Sequence, residues 1–181
     1  MQENTAMTSE RAPSGPTPAG CLSAGTGKLL PPANMVTPSG KAFSLGQFHG
    51  RRNLVVVLPG AGASSESVER LLTQLARGRA ALDEEKAEVL VVLPGDADGP
   101  RDEALRALTV LVDEDARFYR SMGAVDAAGR AAPALYITDL YREIYCAVRP
   151  GDEQWPSSID EVLSWLVFMN IQCPECSVPE W

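Results

Sequence analysis

Cys173-Pro174-Glu175-Cys176 concentrates more reactive groups than any other stretch of the chain. Two thiols at this spacing can cycle between dithiol and disulfide, share a metal ion, or close a structural bridge. A redox pair wants an acidic thiol, which a helix N-terminus or a nearby cation supplies. Here Pro174 and Pro179 oppose a helix, and Glu175 and Glu180 raise the thiol pKa values. A zinc site is tetrahedral, so Cys173 and Cys176 would be a half-site. Its other half would come from a second chain, or from Cys146 and His49. A bridge that only tethers the tail makes neither demand. The spacing leaves all three readings open.

The other reactive residues are scattered. His49 is the only histidine, which leaves no base for a Ser-His-Asp triad beyond itself, and no Gly-x-Ser-x-Gly elbow occurs. It sits beside Arg51 and Arg52 and reads as a solvated loop residue. Cys21 lies in a polar stretch and reads as an incidental thiol. Ala24-Gly25-Thr26-Gly27-Lys28 resembles a phosphate loop but lacks its spacing and its leading strand. Four cysteines are too few to staple a chain of 181 residues.

The elements that must position these groups are built around Asn53 to Leu58, a continuous apolar run suited to a strand buried on both faces. Pro59-Gly60-Ala61-Gly62-Ala63 turns the chain. Val68, Leu71, Leu72, Leu75 and Ala76 then share one face of a helix, with Ser64 or Ser65 as its cap. Val89 to Leu93 is a second buried strand and Thr109 to Val112 a short one. Asp102 is placed to cap a short helix with Leu105 and Leu108. Asp113 is placed to cap another, carrying Phe118, Tyr119 and Met122 and closed by Gly123. Ala134 to Thr138 and Glu143 to Val148 form a tight antiparallel pair, with Ile144, Cys146 and Val148 on one face. Cys146 thus reads as a small core residue. A last helix carries Ile159, Val162, Leu163, Leu166 and Val167, with Ser158 and Glu161 spaced as a capping box and Trp165 packed beside the stripe.

Residues 1–33 are rich in Pro, Gly, Ser and Thr and read as a disordered tail. Residues 34–170 form one α/β domain: a central mixed β-sheet flanked by helices, opened by an N-terminal β-hairpin around Thr37-Pro38-Ser39-Gly40. Residues 171–181 are a tail carrying the cysteine pair. A hydrophobic content of 45% supports an ordinary core, and a net charge of −8 argues against nucleic acid or an anionic membrane as partner. No apolar run approaches the roughly 20 residues of a membrane span. No signal sequence is visible at the N-terminus, so a cytoplasmic location is expected.

The order of these pieces resembles the thioredoxin fold, and within it the redoxins: the alkyl hydroperoxide reductase/thiol-specific antioxidant, or peroxiredoxin-like, proteins. The resemblance rests on Pro38-Ser39-Gly40-Lys41 through Leu45 and Phe48-His49-Gly50-Arg51 leading into the Asn53–Leu58 strand. It continues in Val110-Leu111-Val112-Asp113 and in Ala132-Pro133-Ala134-Leu135-Tyr136-Ile137-Thr138-Asp139. It implies that Pro133 faces the active-site loop, as the cis proline of that fold does.

The resemblance also implies a nucleophilic cysteine in the turn after the core strand. That stretch is Gly60-Ala61-Gly62-Ala63-Ser64-Ser65-Glu66-Ser67 and holds none; Ser64 and Ser67 stand where the attacking and second cysteines would. A hydroxyl does not reduce peroxide by this route, so peroxidase chemistry at the usual place is not expected. Two functions follow. One is a thiol–disulfide oxidoreductase or antioxidant protein acting through Cys173 and Cys176 on a protein dithiol or disulfide partner, with no cofactor. The other is a non-catalytic binding or scaffold module that uses the Ser64–Ser67 loop and the Pro133 face.

Overall fold

The computed structural model describes residues 27–61, 65–95, 107–150, 152 and 155–171. Their elements are β1 (Asn34–Val36), β2 (Ala42–Ser44), a 3-10 turn (Leu45–Phe48), β3 (Asn53–Leu58), α1 (Glu66–Arg77), α2 (Arg79–Glu84), β4 (Ala87–Pro94), β5 (Thr109–Asp113), α3 (Arg117–Met122), β6 (Ala134–Thr138), β7 (Ile144–Val148) and α4 (Ile159–Asn170). The strands form one mixed sheet of seven in the order β2-β1-β5-β4-β3-β6-β7. β3, β4 and β5 run parallel, while β6 pairs antiparallel with β3 and with β7. β1 and β2 make the expected hairpin.

Every residue of β3 and of β4 is buried, as continuous apolar runs require of strands covered on both faces. Their side chains alternate. Val55, Val57, Val89 and Val91 meet α1, α2 and α4 through Leu72, Leu75, Leu82 and Leu166. Leu54, Val56, Leu90 and Val92 meet α3 and the N-terminal segment through Phe118, Tyr119, Leu45 and Leu30.

Several local expectations need correction. Packing begins earlier than residue 34. The Gly27 and Leu30 amides donate to Ile144 and Arg142, and Leu30 is fully enclosed. Ile144 does not share a face with Cys146. A bulge sets Ile137 opposite Cys146 but Thr138 opposite Ile144, and the extra residue, Tyr145, flips Ile144 to the α3 side.

Asp113 ends β5 and accepts from the buried Tyr119 amide at 3.0 Å, whereas the residue before α3 is Ala116, in a left-handed conformation. The cap of α4 is also different. Glu161 reaches Ser157, one residue before the expected partner, and the Ile159 amide donates to Gln74 Oε1 of α1 at 2.8 Å. Val167 is exposed, and Trp165, Phe168 and Met169 join Val162 and Leu166 on the inner face. The helix expected after Asp102 lies outside the described residues.

Candidate functional site: the β3–α1 turn and Cys146

Two places bear on the chemistry. The first is the C-terminal end of β3. Gly60 turns the chain at φ +86°, and a Cβ there would stand 3.0 Å from both the nitrogen and Cδ of Pro133. The turn is pinned on both sides. The Gly60 amide donates to Tyr119 Oη at 3.2 Å, and the Ala61 amide donates to the Ala131 carbonyl at 2.9 Å. Tyr119 Oη in turn donates to the Val92 carbonyl at 2.8 Å, so this buried phenol ties α3 to the ends of β3 and β4. Nothing in the spacing of the sequence signals that role; Tyr119 reads only as a core aromatic.

The structure therefore sets Gly60 against Pro133. The Ala132–Pro133 peptide is trans, unlike the cis proline of that fold. Ser65 is the cap of α1, its Oγ accepting from the Val68 amide at 3.4 Å and lying 2.9 Å from Ser67 Oγ. Ser67 is half-buried on the first turn, and Ser64 lies outside the described residues. His49 is exposed near the opposite end of β3, edge-on to Tyr141 with ring centres 5.7 Å apart. Six strand residues, roughly 20 Å, separate the two ends.

The second place is Cys146. It is closed off in the core between β6 and α4, 1% exposed, in the cluster that holds Ile137, Trp165, Leu166 and Met169. It is disulfide-bonded. The reading of Cys146 as a small core residue is right about its burial and misses its bond. The remaining cysteines, Cys21, Cys173 and Cys176, lie outside the described residues. Among the described residues no group of three or more His, Cys, Asp or Glu is placed to hold a metal, and no helix is long and apolar enough to cross a membrane.

A cleft of about 330 Å³ opens at the far end of the sheet, lined in part by Asn53, Glu85, Asp139, Tyr145 and Asn170. Burial raises the Asp139 and Glu143 carboxyls above their ordinary range and, with those two carboxylates, pushes Tyr145 up to about 12. Asn53 is fully buried and donates to Asn170 Oδ1 at 2.9 Å and to the Glu85 carbonyl at 3.0 Å. These bonds fasten β3 to the end of α4.

No family model and no curated protein matches the sequence. Solved structures do match the fold. The chain is similar to AhpC of Mycobacterium bovis, at 15% identity and a TM-score of 0.62 over 86% of this chain and 97% of that one. It is similar to the reduced Prx3 of Vibrio vulnificus solved with H2O2, at 22% identity and a TM-score of 0.60 over 80% and 99%. The peroxidoxin BcpB of Mycobacterium tuberculosis gives 12% and 0.62 over 82% and 98%. The chain has the peroxiredoxin-like thioredoxin fold. On that fold the β3–α1 turn and Pro133 are assembled, while the described part of the turn and of α1 offers serine hydroxyls and no thiol.

Proposed function

We propose that this peroxiredoxin-fold protein is a thiol–disulfide oxidoreductase of antioxidant type, working through Cys173 and Cys176 and not through the β3–α1 turn. The observation that carries the reading is the disulfide at Cys146. A chain whose usual nucleophile position is occupied by Ser64 keeps disulfide chemistry among its other cysteines. The three structural neighbours are peroxiredoxin-type proteins, and the shared fold supports a redox role. Its partner would be a protein dithiol or disulfide, met at the C-terminal tail.

The test is disulfide reductase activity with a dithiol reductant. Cys173→Ser should abolish it, and Ser64→Ala should leave it unchanged. Full activity in Cys173→Ser would sink the reading.

The runner-up is a binding module without catalysis. It is favoured by the tight seat of Pro133 on Gly60, a preformed surface with no thiol among its described residues. A protein that captures a partner equally well with Ser at positions 173 and 176 would be this module.

A further inference from the structure

We infer that the cleft at the far end of the sheet is a binding site for a small organic cation: an ammonium or guanidinium group carried on a short aliphatic stem. The cleft lies at the opposite end of β3 from the β3–α1 turn, and the inference does not rest on the redox reading.

The cleft, about 330 Å³, falls at the lower end of the roughly 300–1,000 Å³ range of small-molecule sites. Its polar wall offers acceptors that lack donors. Asn53 lines it, is 1% exposed, and spends its Nδ2 on Asn170 Oδ1 and the Glu85 carbonyl. No donor among the described residues reaches Asn53 Oδ1. A buried acceptor is costly to leave unpaired, and the cleft is where a donor can meet it. Asp139 is the second acceptor. Its Oδ1 takes the Tyr141 and Glu143 amides, which leaves Oδ2 without a donor among the described residues. The third is the Tyr145 hydroxyl, which likewise has no partner among the described residues and is a neutral phenol, its pKa pushed up to about 12.

The charge has the matching sign. Glu84, Glu85 and Asp139 line the cleft against Lys86 alone, and Glu143 stands beside Asp139. None of them is in an ion pair with a described residue. His49 is near Asp139 but outside the lining. Burial penalises the Asp139 carboxylate, and a bound cation offsets that penalty. Leu140 and Met169 give the stem an apolar wall, and the half-exposed Tyr141 offers a ring face to the charge. An anion would meet the carboxylates. A bare metal ion would want several ligands, and no group of three or more His, Cys, Asp or Glu is placed to hold one among the described residues.

The test titrates the full chain with agmatine, which carries an ammonium and a guanidinium on one butyl stem, by calorimetry and NMR. Binding should be saturable and should shift the Asn53 side-chain amide and the Met169 methyl. Butyltrimethylammonium has the charge and the stem but no N–H donor, and should bind about tenfold more weakly or less. Asp139→Asn keeps the oxygen for the two amides and should weaken agmatine by about tenfold. Tyr145→Phe should weaken it by about threefold. Lys86→Met removes the one like charge of the lining and should tighten it. A short blocked peptide with a single arginine separates the sources: tighter binding than agmatine assigns the cation to a protein side chain, weaker binding to a free amine, and both support the site. No saturable binding, shifts confined to other residues, equal affinity for butyltrimethylammonium, or weaker binding by Lys86→Met would each overturn the inference. Should Asp139→Asn fail to fold, Tyr145→Phe and the two cations on wild type decide.

Discussion

At the scale of the residue, Gly60 and Cys146 carry the most information. Gly60 combines a left-handed backbone with a wall of Pro133 and Ala132 atoms where a side chain would begin. Gly60→Ala should cost about 2–4 kcal/mol, from the left-handed penalty and the overlap together. Urea unfolding should show a lower midpoint at unchanged slope. A loss below about 0.5 kcal/mol would mean that the turn relaxes freely and does not press on Pro133. Cys146 differs in kind. Its position on a buried strand follows from the alternation of apolar residues, but its bond joins atoms far apart in the chain. Of the site residues named from sequence, Pro133 stands against Gly60 and Ser67 lies on the first turn of α1. Ser64, Cys173 and Cys176 lie outside the described residues.

At the scale of the element, helices and strands follow the sequence where local rules suffice and depart where a neighbour takes over. α1 does what its apolar spacing and Ser65 dictate. α4 has the expected span, yet its first free amide is satisfied by Gln74, 85 residues away, and not by Ser158. Gln74→Ala should therefore destabilise the fold by about 1 kcal/mol through a helix that does not contain it. Hydrogen exchange should show the first turn of α4 loosened. Protection confined to its wild-type level would refute the tertiary cap. The bulge at Tyr145 is the matching case in the sheet. An alternating pattern predicts one face for Ile144 and Cys146, and pairing with β6 splits them. No propensity in the segment reports a bulge, because it is a property of two strands.

At the scale of the whole molecule, the two ends of the sheet differ in character. At one end the described part of the β3–α1 turn is tied by backbone and Tyr119 hydrogen bonds, while the other end gathers half-buried acids. Burial raises Asp139, with Glu143 beside it raised as well. A carboxyl with a raised folded pKa stabilises the fold in full below its unfolded value, near 3.9. That contribution is lost as pH rises through the folded value. Asp139→Asn keeps an oxygen for the Tyr141 and Glu143 amides, which Asp139 Oδ1 accepts at 2.9 and 2.8 Å. The variant should gain melting temperature over wild type as pH rises from about 4 to about 7. A difference independent of pH would refute the burial penalty. Asp83 and Asp126, lowered by Arg52 and Arg130, titrate in the opposite sense, but in both proteins alike.

By itself the sequence determined the mixed sheet, its doubly buried central strands, the hairpin and the terminal helix. Periodicity and turn chemistry act over a few residues, and each element is stable only with the face its own residues define. That the stretch from Gly60 to Ser67 holds serines and no cysteine is composition, and is likewise read from the sequence alone. Tertiary structure alone decided the strand order, the Tyr119 tie under Gly60, the Gln74 cap and the bond at Cys146. Each of these pairs groups distant in the chain, and such pairs are fixed by packing the whole core at once, which no local pattern encodes.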